Sequence, residues 1–405
     1  MILNNSKKDT VQADCIKAWE ENNYKGTIVV GTGVGKTKIG LMAIKKLYDD
    51  WGFPGHFSAL IVVPTTNLRD NEWVNEIDRW YPELAEYITI ECIKTAYKVT
   101  YETDIIVVDE IHTTLSPEYR NFHVNNTKDC PTIGLTATEP HVEEYGELLK
   151  EICPIIYKLT MKESADMGLI SKFKVENVYV SFTKKELAKY KIYDKMFHNA
   201  LILLSNRGNA FEMARQYKDD KTSILHKTAK SFWNGMSMRR WTCYKAERKL
   251  QACIDIIENV KRDKWIIFSQ HIEFVEKLSD MLRERGIMAV YYHSKLKPKD
   301  KALALEAAKS PMCKVICSAQ ALVTGYNLPE IDSAICVAST GSELTFTQSL
   351  GRSSRLNESG KYKKALYINV YVRNTQEDRW VKNRLDEEDL KPFSVEELIA
   401  KYAKT

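Results

Sequence analysis

The stretch Gly31-Thr32-Gly33-Val34-Gly35-Lys36-Thr37 follows a short apolar run at residues 27–30 and precedes an amphipathic segment. This order of strand, glycine-rich loop and helix predicts a phosphate-binding loop, because backbone N–H groups of the loop and of the following helix N-terminus can surround a triphosphate. Glycines let the backbone approach the phosphates without a Cβ in the way. The strict pattern requires glycine where this chain has Val30, so the loop alone is also compatible with a glycine-rich turn that binds nothing.

A second apolar run ends in two carboxylates, in Val107-Val108-Asp109-Glu110-Ile111-His112. The carboxyl ends of parallel strands share one edge of an α/β sheet, so these carboxylates are expected near the phosphate loop. Lys36 would contact the β- and γ-phosphates, Thr37 and Asp109 would hold Mg²⁺, and Glu110 would orient the attacking water. The two motifs together predict a chain that binds and hydrolyses a nucleoside triphosphate.

The composition indicates a globular chain, since 44% of its 405 residues are hydrophobic, and the length is enough for two or three domains. No apolar run approaches the roughly 20 residues needed to span a bilayer, and residues 1–10 lack the apolar core of a signal peptide. We therefore expect a cytoplasmic protein, in a bacterial or phage-infected host cytosol, with no membrane partner. The nine cysteines include no Cys-x-x-Cys pair, so we expect reduced, buried thiols and no structural metal.

Apolar runs alternate with helical patterns in the first and last parts of the chain, which predicts an α/β fold with buried parallel strands. The expected strands are residues 27–30, 59–63, 88–93, 104–108 and 132–135, and later 265–268, 288–292, 314–317, 333–337 and 365–372. From Thr183 the sequence becomes helical, beginning with a Thr183–Glu186 capping box. We predict two tandem doubly wound parallel-sheet domains, residues 1–170 and 263–405, joined by a connecting strand and a helical insert at residues 171–262.

The helical insert is the most basic part of the sequence. Residues 221–262 contain ten Lys and Arg against three acids, whereas the whole chain has a net charge of +5. Such a run is commonly a solvated helix face, but it can also contact phosphates. Trp233 and Trp241 lie beside Arg239 and Arg240, and aromatic and guanidinium planes can stack on bases, so we expect these two arginines to bind nucleic acid.

Two α/β domains of which only the first has a phosphate loop resemble the superfamily 2 helicases and translocases, in which two RecA-like domains form an ATP- and Mg²⁺-dependent motor. Residues 30–37 are similar to the first motif of this family, and the Asp109–His112 tetrapeptide is a DExH box. The resemblance implies that Gln12 reads the adenine and that His112 links the nucleotide to the second domain. It also implies that Thr136 and Thr138, in a Thr-Ala-Thr motif, couple hydrolysis to movement.

Further motifs follow in the order found in that family. Pro64, Thr65 and Thr95 resemble contacts to a nucleic-acid backbone in the first domain, and Ser269 ends the fourth motif in the second domain. Residues 324–329 resemble the fifth motif and include Gly325, although Asn327 stands where the family often has Asp. The sixth motif is matched by the spacing of Gln348, Arg352 and Arg355, which implies that the two arginines act as arginine fingers on the γ-phosphate.

Within the superfamily, residues 168–171, a following strand and residues 183–190 look like the XPB and phage UvsW branch. That resemblance implies a monomeric motor that acts on forked or branched DNA. Three other functions remain open: an RNA helicase, the motor subunit of a restriction system, and a nucleotide-switched nucleic-acid-binding module without translocation.

Overall fold

The computed structural model describes residues 2–51, 56–140, 143–170, 172–319, 331–338, 365–382 and 391–402. The chain divides near residue 173 into two compact units. Each unit is built around one parallel β-sheet with helices, so the two tandem α/β domains predicted from the sequence are confirmed.

The sheet of the first unit has six strands in the order β3-β2-β4-β5-β1-β6, and all of its pairings are parallel. The strands are β1 Lys25–Val30, β2 Ala59–Val63, β3 Ile88–Cys92, β4 Ile105–Asp109, β5 Thr132–Thr136 and β6 Ile155–Leu159. Strands β2, β4 and β5 are buried along their whole length. Because β4, β5 and β1 are neighbours, the segments that leave their carboxyl ends lie side by side.

Helices cover this sheet. They are α1 Ile2–Glu21, α2 Lys36–Trp51, α3 Trp73–Trp80, α4 Ile93–Ala96, α5 Arg120–Asn126, α6 Glu143–Ile152 and α7 Met161–Asp166. Short 3₁₀ turns occupy Pro82–Tyr87 and Ile111–Thr114, and a π-helical turn occupies Leu68–Glu72. Helix α2 lies close to its neighbours because Gly40 has no side chain: a Cβ there would come within 2.9 Å of Trp73 and 3.0 Å of Val107.

The second unit has a seven-stranded sheet in the order β13-β7-β12-β11-β8-β10-β9. Its strands are β7 Phe173–Val180, β8 Trp265–Ser269, β9 Ala289–His293, β10 Val315–Ala319, β11 Ser333–Cys336, β12 Ala365–Val372 and β13 Pro392–Phe393. Helices α12 Ile272–Glu284, α13 Pro298–Lys309, α14 Gln376–Lys382 and α15 Val395–Tyr402 accompany it. Gly286 follows α12 with φ +78°, a left-handed conformation that commonly terminates a helix.

Four helices stand between β7 and β8, at the place of the predicted insert: α8 Lys184–Ser205, α9 Ala210–Tyr217, α10 His226–Tyr244 and α11 Glu247–Asn259. The capping box at the start of α8 is present, with Thr183 and Glu186 each bonded to the backbone of the other. Helices α8 and α10 cross closely at Gly235, where a Cβ would come within 2.7 Å of the Phe197 nitrogen. Helix α10 ends at Tyr244 and α11 begins at Glu247, so a short break separates the two.

The predicted strands are present with ends that differ by one or two residues, whereas β6 and β13 were not predicted. All nine cysteines are free thiols, and all except Cys130 are buried, as expected. Among the helices that the structure describes, none is long and apolar enough to cross a membrane.

Candidate nucleotide-binding site

The glycine-rich loop joins the carboxyl end of β1 to the first turn of α2, which begins at Lys36. Gly33 and Gly35 have φ of +95° and +106°, in the left-handed region that favours glycine. A Cβ on Gly35 would lie 2.5 Å from Nε2 of Gln12, so a side chain is excluded by space as well as by φ. Thr32 and Thr37 are half-buried in the loop and in the first turn of α2. The loop therefore has the tight turn and helix N-terminus that phosphate binding requires.

Helix α1 holds this loop through two side chains one turn apart. Nε2 of Gln12 donates a 3.0 Å hydrogen bond to the Val34 carbonyl, and Nζ of Lys8 donates a 2.8 Å bond to the Gly33 carbonyl. Gln12 is only 3% exposed, and its Oε1 is buried and accepts no hydrogen bond within the described part of the chain. Gln12 thus lies at the loop, and its reading of the adenine stays a prediction. Lys8 was not predicted, although its i, i+4 spacing from Gln12 places both on one helix face.

Asp109 is the last residue of β4, and its side chain is buried. Nε1 of Trp73 donates a 3.0 Å hydrogen bond to its Oδ2. Burial and the neighbouring Glu110 carboxylate raise the pKa of Asp109 above its usual range, and the Lys36 ammonium opposes this shift. Trp73 was not predicted as a site residue, because its distance of 36 positions from Asp109 gives no local signal.

Glu110 has a backbone φ of +50°, which is uncommon for a residue with a side chain. Its Oε1 lies 4.0 Å from Nζ of Lys36, and both side chains are nearly buried. Its Oε2 is buried and makes no hydrogen bond to any described residue. A strained residue with an unsatisfied buried oxygen is typical of a functional position.

The carboxylate cluster fits a divalent cation. Buried Asp109 and nearly buried Glu110 bring two acidic groups together, and among the described residues the Lys36 ammonium opposes them. A hard cation that prefers oxygen ligands would offset both the cost of burying these carboxylate charges and their mutual repulsion. Asp109 and the Thr37 hydroxyl would hold Mg²⁺, which would neutralise charge on the nucleotide phosphates.

His112 lies beside Glu110 and is hydrogen-bonded to the end of β5. Nδ1 of His112 lies 3.5 Å from Oε2 of Glu110 and 2.9 Å from Oγ1 of Thr136. The Thr136 hydroxyl donates to the Thr138 carbonyl at 2.8 Å and accepts from the Thr138 nitrogen at 3.2 Å. Since the hydroxyl hydrogen is already used, Nδ1 of His112 must be the donor to Thr136. The DExH segment and the Thr-Ala-Thr segment are therefore in direct contact.

The predicted nucleic-acid contacts of the first unit lie on the other half of the same sheet edge. Pro64 and Thr65 follow β2, and Oγ1 of Thr65 accepts a 3.4 Å hydrogen bond from the Leu68 nitrogen. Thr95 lies in α4, directly after β3, and is exposed. The strand order therefore separates the nucleotide residues at β4, β5 and β1 from these residues at β2 and β3.

In the second unit, two of the residues predicted to contact nucleic acid are buried. Ser269 is buried at the end of β8, where its hydroxyl accepts a 3.1 Å bond from the His271 nitrogen. Arg239 is 7% exposed: its guanidinium lies 3.6 Å from the centre of the Phe197 ring and donates a 3.1 Å bond to Asp194. The structure contradicts the prediction that Arg239 contacts phosphate, because its side chain packs inside the helical insert.

Arg240 is half-buried, with its guanidinium 5.6 Å from the centre of the Trp380 ring. It is therefore more accessible than Arg239. Gly325, Gln348, Arg352 and Arg355 lie outside the described residues, so the fifth and sixth motifs remain predictions.

Two protein-family models match the chain. The model described as type III restriction enzyme, res subunit, matches residues 5–100, and the helicase conserved C-terminal domain matches residues 248–357. The first match contains the glycine-rich loop, and the second contains Arg352 and Arg355.

Curated relatives include DNA and RNA motors. The chain is 25% identical to the DNA 3′–5′ translocase XPB2 of Sulfurisphaera tokodaii over 393 residues, which cover 92% of this chain and 83% of that protein. It is 23% identical to a putative ATP-dependent RNA helicase of Methanocaldococcus jannaschii, over 70% of this chain and 44% of the relative. The chain spans half or less of the length of several other helicase relatives.

Solved structures with the same fold include a restriction-enzyme subunit and an RNA-bound protein. A fragment of a putative HsdR subunit of a type I restriction enzyme from Vibrio vulnificus matches with a TM-score of 0.60 and 15% identity, over 95% of this chain and 66% of that chain. Dbp5 of S. cerevisiae, bound to RNA and ADP BeF3, matches with a TM-score of 0.58 and 13% identity, over 97% of this chain and 93% of that chain.

Proposed function

We propose that this chain, which belongs to the superfamily 2 helicases, hydrolyses ATP to translocate on DNA and to remodel forked or branched DNA. The observation that carries the choice of DNA is the similarity to the XPB2 DNA translocase along 92% of the chain. Each of the other relatives aligns over a smaller share of this chain and over a smaller share of its own length.

The first unit would supply the chemistry of hydrolysis. The loop N–H groups and Lys36 bind the phosphates, and Mg²⁺ held by Thr37 and Asp109 would supply further neutralising charge. Oε2 of Glu110 is buried without a hydrogen bond, so it can accept one from the attacking water and orient it. Arg352 and Arg355 are proposed to stabilise the charge that develops on the transferred phosphate.

The contact from Glu110 through His112 to Thr136 would couple the chemistry to movement. Oε2 of Glu110 changes its partners when the nucleotide binds and is hydrolysed, and His112 lies within 3.5 Å of that oxygen. A shift of His112 alters its bond to Thr136. The segment after β5 therefore responds to the state of the nucleotide.

An RNA helicase is the first alternative, since RNA helicases are among the curated relatives. A restriction motor is the second, since one matching family model describes a restriction subunit. A nucleotide-switched module without turnover is the third, and the arrangement of Lys36 and Glu110 favours hydrolysis over it. We also propose that the motor acts as a monomer, which sedimentation of the purified chain would test.

The test is unwinding or branch migration of a synthetic DNA fork beside an RNA duplex of matched sequence, each with ATP and Mg²⁺. We expect the fork to be unwound and the RNA duplex to stay intact, and Glu110→Gln to unwind neither. If RNA is unwound while forked DNA is not, the DNA proposal is wrong and the RNA helicase alternative replaces it. If the chain turns over ATP on DNA without separating strands, a translocating restriction motor becomes the better description.

A further inference from the structure

A cavity of about 340 Å³ opens in the second unit between α8, α10 and the loop after β8. Its walls are mainly apolar and include Met238, Trp241 and His271, with Lys189 and Lys245 at the same site. We propose that this cavity binds one unstacked nucleobase of a nucleic-acid strand, with the two lysines contacting the phosphates beside it. The inference rests on the proposed function in one respect, which is that the chain binds nucleic acid.

Trp241 supplies the stacking surface. Its side chain is 39% exposed and lies in the last turn of α10. Its ring is edge-on to His271, with centroids 5.3 Å apart, and to Tyr244, with centroids 6.2 Å apart. These contacts hold the indole in place while part of it stays accessible. A fixed aromatic ring at a cavity can stack on any of the bases, so this contact does not depend on the nucleic-acid sequence.

The charges around the cavity suit a phosphate. Lys189 is exposed on α8, and Lys245 is half exposed after α10. Lys245 lies 3.6 Å from Glu273, but Glu273 is 80% exposed, so this pair contributes little and can exchange for a phosphate. Lys184 and Lys185, in the first turn of the same α8, are also exposed.

Glu186 is the acid that lines the cavity, and its carboxylate is already committed to the protein. Oε2 accepts hydrogen bonds from the nitrogen and the hydroxyl of Thr183, and Oε1 accepts a 2.9 Å bond from the Glu247 nitrogen. These bonds fix the carboxylate at the helix start. Glu186 therefore shapes the cavity wall, with three hydrogen bonds from the protein already on its carboxylate.

His271 connects the cavity to the end of β8. It is 9% exposed, and burial followed by the nearby Lys245 lowers its pKa below the ordinary value. The ring is therefore neutral at neutral pH, and it can pack beside a base without the cost of a buried charge. His271 stands two residues after Ser269, the predicted backbone contact, and bonds to its hydroxyl. A strand that passes Ser269 would bring its bases to this cavity.

The test measures binding of the full chain to a fluorescent single-stranded oligo-dT by anisotropy, over a range of salt concentrations. Trp241→Ala should weaken binding on the order of tenfold, while the slope of log K against log salt stays the same because no phosphate contact is lost. Trp241→Phe should retain most of the affinity. Lys189→Gln with Lys245→Gln should instead reduce the slope, by about 0.7 for each lost contact.

An oligonucleotide with abasic positions separates stacking from any other effect of the substitution. Wild type should bind the abasic probe more weakly than oligo-dT, by about the factor by which Trp241→Ala weakens binding to oligo-dT. Trp241→Ala should bind the abasic probe and oligo-dT with nearly the same affinity. Trp51→Ala is the matched control, because Trp51 is 49% exposed on α2 of the first unit. It should bind both probes as wild type does, and thermal melts should show that all variants are folded.

The proposal is overturned if Trp241→Ala binds oligo-dT with wild-type affinity, if it is as sensitive to abasic positions as wild type, or if wild type binds no single strand. A parallel series on an RNA of equivalent sequence shows whether the base can come from RNA. The proposed function is judged separately by ATP turnover. If DNA does not stimulate ATP turnover but Trp241→Ala still weakens binding, the proposed motor function is wrong and the base-binding cavity stands. If DNA stimulates turnover normally and Trp241→Ala binds like wild type, the motor function stands and the base-binding cavity is wrong.

Discussion

Two lysine–glutamate pairs, one in each unit, differ in how completely their hydrogen bonds are satisfied. Lys249 and Glu377 are fully buried, with Nζ 2.9 Å from both carboxylate oxygens and 2.6 Å from the Val337 carbonyl. Glu377 also accepts a 2.8 Å bond from the Val372 nitrogen. Lys36 and Glu110 are instead 4.0 Å apart, and one Glu110 oxygen is buried without a bond.

The difference indicates two different roles. A buried ion pair with complete hydrogen bonding fixes a packing arrangement, and here it joins α11 to α14 and to the ends of β11 and β12. A loose pair with an unsatisfied oxygen and a left-handed backbone costs stability, which supports the catalytic role proposed for Lys36 and Glu110. We therefore expect substitutions in the first pair to change stability and substitutions in the second to change turnover.

Lys36→Ala should have the largest effect and abolish measurable ATP turnover, because Lys36 is proposed to contact the β- and γ-phosphates. Lys8, another lysine at the loop, donates its hydrogen bond to the Gly33 carbonyl instead. The melting temperature should stay close to that of wild type, since Lys36 makes only a 4.0 Å contact to Glu110. Steady-state phosphate release and a thermal melt measure the two effects. A folded variant with normal turnover would remove Lys36 from the mechanism.

Arg352→Ala and Arg355→Ala should each lower kcat on the order of 10³-fold, the effect typical of arginine fingers. Nucleotide affinity should remain nearly unchanged, because the charge they stabilise develops in the transition state. Titration with a fluorescent ATP analogue and turnover at saturating ATP separate the two quantities. Loss of affinity with kcat preserved would place these arginines in ground-state binding.

Lys249→Met should cost about 3–5 kcal/mol of unfolding free energy in the second unit, because it leaves Glu377 buried without a counter-charge. Lys249→Met with Glu377→Gln should recover much of this loss, since the amide can still accept from the Val372 nitrogen. Denaturant unfolding measures both. Glu258→Gln, which removes the half-exposed pair with Arg285, is the control and should cost less than about 1 kcal/mol. An equal loss in the single and double variants would contradict the role assigned to this pair.

Thr136→Val should have a smaller effect and lower the ratio of DNA-stimulated to basal turnover about fivefold. It removes the hydroxyl that accepts from His112, and one such bond contributes about 1 kcal/mol. Thr127→Val is the matched control, because the Thr127 hydroxyl is also buried in the same unit and donates a 3.0 Å bond to the His123 carbonyl at the end of α5. An equal fall in the ratio for both variants would show a general loss of structure instead of lost coupling.

The sequence predicted those features that depend on neighbouring residues. Strands, the glycine-rich loop and the carboxylates at the end of β4 follow from local patterns, and parallel α/β topology then places them on one edge of a sheet. The edge strand β6 was not predicted. Its first three residues are partly buried, Lys158 is exposed and Leu159 is buried, so its pattern differs from the continuous apolar runs of the central strands.

Contacts between distant parts of the chain could not be predicted in this way. Lys249 and Glu377 are 128 positions apart, and Trp73 and Asp109 are 36 apart. Only the folded chain shows that these groups meet. The count of charged residues was also insufficient to predict the environment of Arg239. A count does not show that Arg239 on α10 packs against Phe197 on α8.

The most direct test of the account is phosphate release by wild type and by Glu110→Gln, each with and without forked DNA. We predict that DNA raises wild-type turnover at least about tenfold. Glu110→Gln should still bind ATP but release almost no phosphate in either condition, because the amide cannot orient the attacking water as the carboxylate does. Near-normal turnover in Glu110→Gln, or wild-type turnover that is unchanged by DNA, would contradict the account.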